Sequence, residues 1–166
     1  MNTQLEETPV TKAIIGFSAM AQAIDELVAQ ASGRLSIFDR DLADYGFNSA
    51  ERFNRLKVFL LANRSNSLQI VVHRSEYLER DCTRMMILLR QFPHAVTICK
   101  TLPEAQRVSD AFMIARGLHY FHRFHGDHPR AELVLNDESG AGVLQKRFDE
   151  IVTYSEPAIG ASVLGL

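Results

Sequence analysis

The sequence predicts an α/β domain with a mixed, largely parallel sheet, helices on both faces and an extra N-terminal helix. Three observations lead there. Short apolar, β-branched runs, RLSIFD (34–39), LQIVVHR (68–74) and AVTICK (95–100), alternate with stretches of helical periodicity. Strand-helix-strand order needs crossover connections, and crossovers make neighbouring strands parallel. Beyond residue 110 the texture changes: DAFMIA (110–115) and HYFHRF (119–124) flank Arg116-Gly117, a hairpin turn that adds antiparallel strands. Finally, 166 residues with 46% hydrophobic and 23% charged side chains suit one domain that buries its own core without disulfides.

Taken in order, residues 1–10 are polar and read as a flexible N-terminal arm. Residues 11–32 read as a helix: Phe17, Met20, Ala21, Ile24, Leu27 and Val28 recur at three- and four-residue spacing, which gives one apolar stripe. Ser32-Gly33 ends it. The stripe either covers the domain's own core or serves as a partner helix. The rest, 33–166, reads as a single α/β domain. After the first strand, Asn48 or Ser49 caps a helix from Ala50 to about Asn63, because a short polar side chain accepts the orphan amide hydrogens of a helix start. Residues 76–92 carry a second helical pattern through Leu78, Met85, Leu88, Leu89 and Phe92. After the hairpin, AELVL (131–135) reads as a strand. Asn136 or Asp137 then caps a helix running to about Tyr154, with Val143, Leu144, Phe148, Ile151 and Val152 on its inner side.

Composition excludes several classes. Eighteen basic and 20 acidic residues give a formal charge of −2, which weighs against a nucleic-acid partner, since phosphate contacts need surplus cations. The local clusters Arg52, Arg55, Lys57 and Arg80, Arg84 read as solvated helix faces. The two cysteines, Cys82 and Cys99, form no Cys-x-x-Cys pair and look like small core residues in a reducing, cytoplasmic setting. The segment Ala13–Val28 is interrupted by Gly16, Ser18, Gln22, Asp25 and Glu26, so no membrane span is expected. No glycine-rich phosphate loop is present, and no cofactor is expected.

Four of the six histidines fall in HYFHRFHGDH (119–128). On a strand, His119, Phe121, Arg123 and His125 share one side, and Tyr120, His122 and Phe124 the other. A zinc site on a strand prefers His-x-His, which this spacing lacks. His119 and His125 match in parity but lie about 20 Å apart on an extended chain. The expectation is therefore no metal, with His122 or His119 lining a ligand pocket.

The end AELVLNDESGAGVLQKRFDEIVTYSEP resembles one half of the phospholipase D-like superfamily, whose halves close with a Glu-bearing strand, a capped helix and a Phe near that helix's end. Glu132, Asn136-Asp137 and Phe148 stand in those places. RLSIFDRDLADYGFNSAERFNRL together with LQIVVHR also resembles a bacterial domain family of unknown role with this fold. Active superfamily members carry His-x-Lys-x4-Asp, then six residues and Gly-Ser-x-Asn. A histidine attacks phosphorus, a second protonates the leaving oxygen, and lysine and asparagine hold the phosphate charge. Counted back from Asp110, the histidine position is Pro103 and the lysine position Ala105. Gly117 matches, while Leu118 and Tyr120 fill the serine and asparagine places. No His-x-Lys occurs anywhere in the chain.

The resemblance thus implies a non-catalytic domain used in binding or assembly. Because superfamily halves pair about a twofold axis, it also implies a homodimer; the apolar N-terminal stripe and the end ASVLGL agree with that. The side chains expected near the old cleft are Asp39, Arg40, His73, Arg74, Asp110 and His122. Most lie just past strand ends, where parallel sheets bind ligands, and Arg40 or Arg74 would hold a small anion such as phosphate. Two alternatives stay open: a hydrolase using His119 or His122 with Asp110 or Asp127, and a nucleic-acid-binding regulator.

Overall fold

Residues 7–159 are described in the computed structural model. Residues 1–6 of the expected arm and the ASVLGL end lie outside the described residues. The elements are β1 (Val10–Ile15), α1 (Phe17–Ala29), β2 (Arg34–Asp39), α2 (Ala50–Ala62), β3 (Ser67–Val72), α3 (Glu76–Arg80), α4 (Thr83–Gln91) and β4 (Val96–Thr101). A 3-10 turn (Pro103–Ala105) follows, then β5 (Ala111–Ala115), β6 (His119–Arg123), β7 (Arg130–Leu135), α5 (Glu138–Thr153) and β8 (Ser155–Ile159). The strands form one sheet in the order β1-β7-β6-β5-β2-β3-β4-β8.

The sheet is mixed, but the expectation of a largely parallel one is overturned. Only β2–β3 and β3–β4 pair in parallel, the pairs whose connections carry α2 and α3–α4. The other five pairings are antiparallel. A tight hairpin joins β5 to β6, and two short strands, β1 and β8, close the edges. Neither edge strand was foreseen.

The helix expected over 11–32 is corrected too. Val10, Thr11, Ile14 and Ile15 are β-branched, a composition that suits extended backbone, and they pair in register with Leu135–Arg130 of β7. Gly16, at φ +96°, turns the chain, and its N–H donates to the Pro129 carbonyl (2.8 Å). The helix begins only at Phe17. Its stripe of Met20, Ala23, Ile24, Leu27 and Val28 is buried in the core.

The pattern over 76–92 is interrupted at Asp81-Cys82. The Arg84 amide donates to Asn48 Oδ1 (3.1 Å) and its guanidinium to the Asn48 carbonyl (2.8 Å), so the loop before α2 supplies the start of α4. Ser49 is the residue that caps α2, accepting from the Arg52 amide (3.0 Å).

Alternate residues of the same strands feed two apolar clusters. Leu35, Ile37, Leu68, Ile70, Met113, Phe121 and Leu133 join α1, α2 and α4. Phe38, Val71, Phe112, Ile114, Tyr120 and Val134 join Ala141, Leu144, Phe148 and Ile151 of α5. This is the period-two alternation of strands buried on both sides.

Candidate functional site

The carboxyl ends of β2 and β3 lie side by side, and the loops after β4 and β6 come up against them. Together they enclose a cleft of about 260 Å³. The β2–β3 ladder runs past the strands: the His73 amide donates to the Asp39 carbonyl (3.3 Å) and the Arg74 amide to the Arg40 carbonyl (2.9 Å). Hence Asp39, Arg40, His73 and Arg74 all line one cavity, with Asp110 across from them. Five of the seven residues singled out from the sequence meet there.

Asp39 is almost fully buried and anchors a loop. Its Oδ1 accepts from the Tyr45 hydroxyl (2.6 Å), and its Oδ2 accepts from the amides of Asp41 (3.0 Å) and Leu42 (2.7 Å). Burial raises its pKa, against the opposing pull of these hydrogen bonds. The two amide bonds hold Leu42 at φ +68°, a left-handed conformation rare for a bulky residue. Tyr45 also accepts from Arg123 Nη1 (3.2 Å), which in turn holds Asp44 (2.8 Å). The loop after β2 is thereby fixed, and with it Arg40. Arg40 meets Asp127 at 3.5 Å, Asp41 at 3.7 Å and Asp44 at 4.0 Å, which are loose contacts for ion pairs.

His73 is held at both ring nitrogens. A carbonyl only accepts, so Nε2–H donates to Val108 O (2.7 Å). In the neutral ring Nδ1 then accepts from Thr101 Oγ1 (2.7 Å), a hydroxyl that also accepts from Gln106 Nε2 (3.0 Å). The Arg74 guanidinium makes no hydrogen bond or ion pair among the described residues.

His122 does not line the cleft but joins Asp110, Nε2 to Oδ2 at 2.8 Å. Arg147, from α5, grips the same carboxylate with both nitrogens, at 2.7 and 2.8 Å, and stacks over the Phe112 ring at 4.9 Å. Burial opposes ionisation of Asp110, but the hydrogen bonds from Arg147 and His122 win and hold its carboxyl well below the usual range.

His119 is corrected. It starts β6, opposite Ala115, which pairs with Leu35 at the other end of β2, so it lies a strand's length from the cleft. There it is buried, and its Nδ1 accepts from the Asn136 amide (3.0 Å). Pro103 and Ala105 are corrected as well: they form the 3-10 turn after β4, and neither lines the cleft. Motif frames starting at Val108 or Ser109 do reach it. They place Val108 with Asp110, or Ser109 with Ala111, in the histidine and lysine positions.

The sequence reading missed Gln106, Ser109, His125 and Gly126, which also line the cleft, and Arg147 behind it. They come from loops without periodicity or from a cation on a helix that reads as solvent-facing, so no local signal marks them. Among the described residues no three His, Cys, Asp or Glu gather as a metal-binding group, and no helix is long and apolar enough to cross a membrane.

Comparison with solved structures shows that this mixed eight-stranded α/β fold is shared with a phospholipase D family member. The chain is similar to NucT from Helicobacter pylori (TM-score 0.62, 12% identity, 90% of this chain and 99% of that one). It is also similar to Nuc from Salmonella typhimurium, a phospholipase D family member (TM-score 0.60, 9% identity, 90% and 98%). TrmBL2, an archaeal chromatin protein described as showing a novel mode of DNA binding, is similar as well (TM-score 0.67, 9% identity); this chain is covered to 94% and spans 57% of that one. Such identities show a shared fold. No curated protein matches the sequence. The chain belongs to the family described as a domain of unknown function, DUF7931, whose model matches residues 17–160.

Proposed function

We propose that this is a non-catalytic, phospholipase D-like binding domain whose cleft holds phosphate or a similar small anion, and that it works as a homodimer. The observation that carries the anion reading is the pair Arg40 and Arg74 on adjoining strand ends. Both face one cavity, one guanidinium is only loosely engaged, and the other is unpaired among the described residues. Guanidinium suits phosphate because its planar fork can donate two parallel hydrogen bonds.

A hydrolase built on His122 and Asp110 has less support. Arg147 already occupies both Asp110 oxygens, and His122 is not part of the lining. His73, which is, has both nitrogens engaged inside the protein. A base needs a free nitrogen within reach of the proton it takes.

The dimer reading rests on the paired halves of the superfamily and on one uncovered surface. α5 packs over β2, β4, β5, β6 and β8. Beyond it, Ile15 (72% exposed) and Phe124 (52% exposed) lie open, next to His125, which also lines the cleft. On the same side of β7, Arg130 and Glu132 make no ion pair among the described residues. They are two residues apart, roughly 7 Å along a strand. A twofold axis between them sets one copy's Arg130 against the other's Glu132 and the reverse.

Calorimetric titration with inorganic phosphate tests the anion reading. Saturable binding is expected, and Arg74→Ala should weaken it by about tenfold or more, the usual worth of a hydrogen bond to a charged group. Bis(4-nitrophenyl) phosphate should stay uncleaved. Turnover that disappears in His122→Ala would replace this reading with the hydrolase. Salt-sensitive retention of duplex DNA, with no response to phosphate, would replace it with a nucleic-acid binder.

A further inference from the structure

We propose that Arg147 sets the charge selectivity of the cleft by masking Asp110, so that Arg40 stays available to an anionic ligand. The inference rests on the anion reading of the same cleft and names a residue outside its lining as the one that decides the sign of its charge.

The geometry begins in the β2–β5 ladder. Phe38 pairs with Phe112 in antiparallel register. That is the last pair of the ladder; Arg40 follows two residues beyond Phe38, Asp110 stands two before Phe112, and both line the cleft. A carboxylate placed there without another partner would draw Arg40 into a closed ion pair, and the cleft would neutralise itself.

That pairing is absent, and α5 explains why. Arg147 reaches the carboxylate from the side of the helix. Nη1 donates to Oδ2 (2.7 Å) and Nη2 to Oδ1 (2.8 Å), while His122 Nε2 takes a second position on Oδ2 (2.8 Å). The guanidinium is stacked on Phe112, which fixes its plane for the two-pronged contact. Arg40 is left with contacts of 3.5–4.0 Å to Asp41, Asp44 and Asp127. A bidentate pair on a partly buried carboxylate outcompetes a cation tethered on a loop, because it forms two charge-assisted hydrogen bonds in fixed geometry. Arg147 acts on the ligand through Asp110 and is a positioning residue.

The prediction has opposite signs for the two partners. Arg147→Met uncovers a carboxylate in the cleft and lets Arg40 collapse onto it. Phosphate affinity should fall on the order of tenfold, the effect of one unit charge acting over a few ångströms with close to the full screening of water, as in a cleft open to solvent. Asp110→Asn removes the repelling charge and should bind phosphate at least as tightly as the parent. In Arg147→Met/Asp110→Asn the affinity should return to within about twofold of the parent, because neither charge remains. All three variants should melt below the parent, since each breaks the network. A merely structural role would therefore lower affinity in all three. Calorimetric titration with inorganic phosphate, with melting curves in parallel, reads both quantities. If Arg147→Met does not fold, Arg147→Lys keeps the charge without the fork and should show a smaller loss. Recovery in the double variant supports the mask. A double variant as weak as Arg147→Met, or a weakened Asp110→Asn, overturns it while leaving the anion site in place. No phosphate binding by the parent chain removes both.

Discussion

His119 is an imidazole that the fold uses as a hydrogen-bond acceptor. Its Nδ1 takes the Asn136 amide (3.0 Å) at a residue whose own φ is +62°, so the bond secures a left-handed turn before α5. Burial lowers its pKa, Arg116 adds to the shift and Glu7 opposes it. With the folded value below the unfolded one, the unfolded chain takes up the proton more readily. The contribution to stability is therefore complete above the unfolded pKa of about 6.5 and is lost as pH falls below it toward the folded value. His119→Asn keeps an acceptor and removes the titration. Thermal melts followed by circular dichroism from about pH 7.5 down to about pH 5 should show the parent losing stability more steeply than the variant. Parallel curves would mean that His119 is not the responsible group. Asp110 has the same sign at lower pH: its depressed carboxyl stabilises the fold above the ordinary carboxylate range, and that contribution fades as acid protonates it.

At the scale of elements, the junction of β7 with α5 shows how one glycine can be fixed by its neighbours. Asp137 Oδ1 accepts from the Gly140 amide (3.0 Å), while Oδ2 accepts from the Tyr120 hydroxyl (2.9 Å). Burial and that hydrogen bond push Tyr120 up to about 12, so it stays protonated and donating. A Cβ on Gly140 would run into the Asp137 carboxylate and the Tyr120 hydroxyl; one on Gly142 would meet nothing. Alanine inside a helix ordinarily stabilises by about 0.5–1 kcal/mol. Gly142→Ala should do so, whereas Gly140→Ala should cost about 1–3 kcal/mol through overpacking and a broken cap. Urea titrations of both variants check the contrast, and equal effects would mean that the capping geometry is not rigid.

Elements were legible in sequence where the local pattern had one solution. β2, β3, β4 and the Arg116-Gly117 hairpin are where β-branched runs and turn residues put them, and both turn residues take positive φ (63° and 64°), as tight hairpin turns require. β1 was misread because Ile14, Phe17, Ala21, Ile24 and Val28 also satisfy a helical spacing. Only the open edge of β7 selects the extended form. α3 and α4 read as one helix because nothing near Cys82 announces that Asn48, far away in the chain, supplies the start of the second.

For the molecule as a whole, the cleft and the uncovered sheet face are neighbours, and His125 belongs to both. A second copy on that face would bring two clefts together. The charge pattern makes this testable without a ligand. Arg130→Glu alone or Glu132→Arg alone sets like charges across the twofold axis and should shift the chain toward monomer in sedimentation velocity. Arg130→Glu/Glu132→Arg restores complementarity and should restore the dimer. A monomeric parent, or a double variant no better than the singles, would rule out this surface.

The sequence by itself determined the α/β class, the first three core strands, the pair of residues from which each cap of α2 and α5 is drawn, and the absence of a His-x-Lys pair. These follow from short-range rules of side-chain spacing, turn chemistry and composition. It also supplied five of the residues that meet at the cleft: Asp39, Arg40, His73 and Arg74, at or just past the ends of the parallel strands β2 and β3 where such sheets bind ligands, and Asp110, just before β5. Tertiary structure alone decided the strand order, the dominance of antiparallel pairing, the removal of His119 from the site and the engagement of Asp110 by Arg147. Those depend on which segments, tens of residues apart, come to lie side by side. That is settled by burying both faces of the sheet and satisfying its edges, which no local window of sequence encodes.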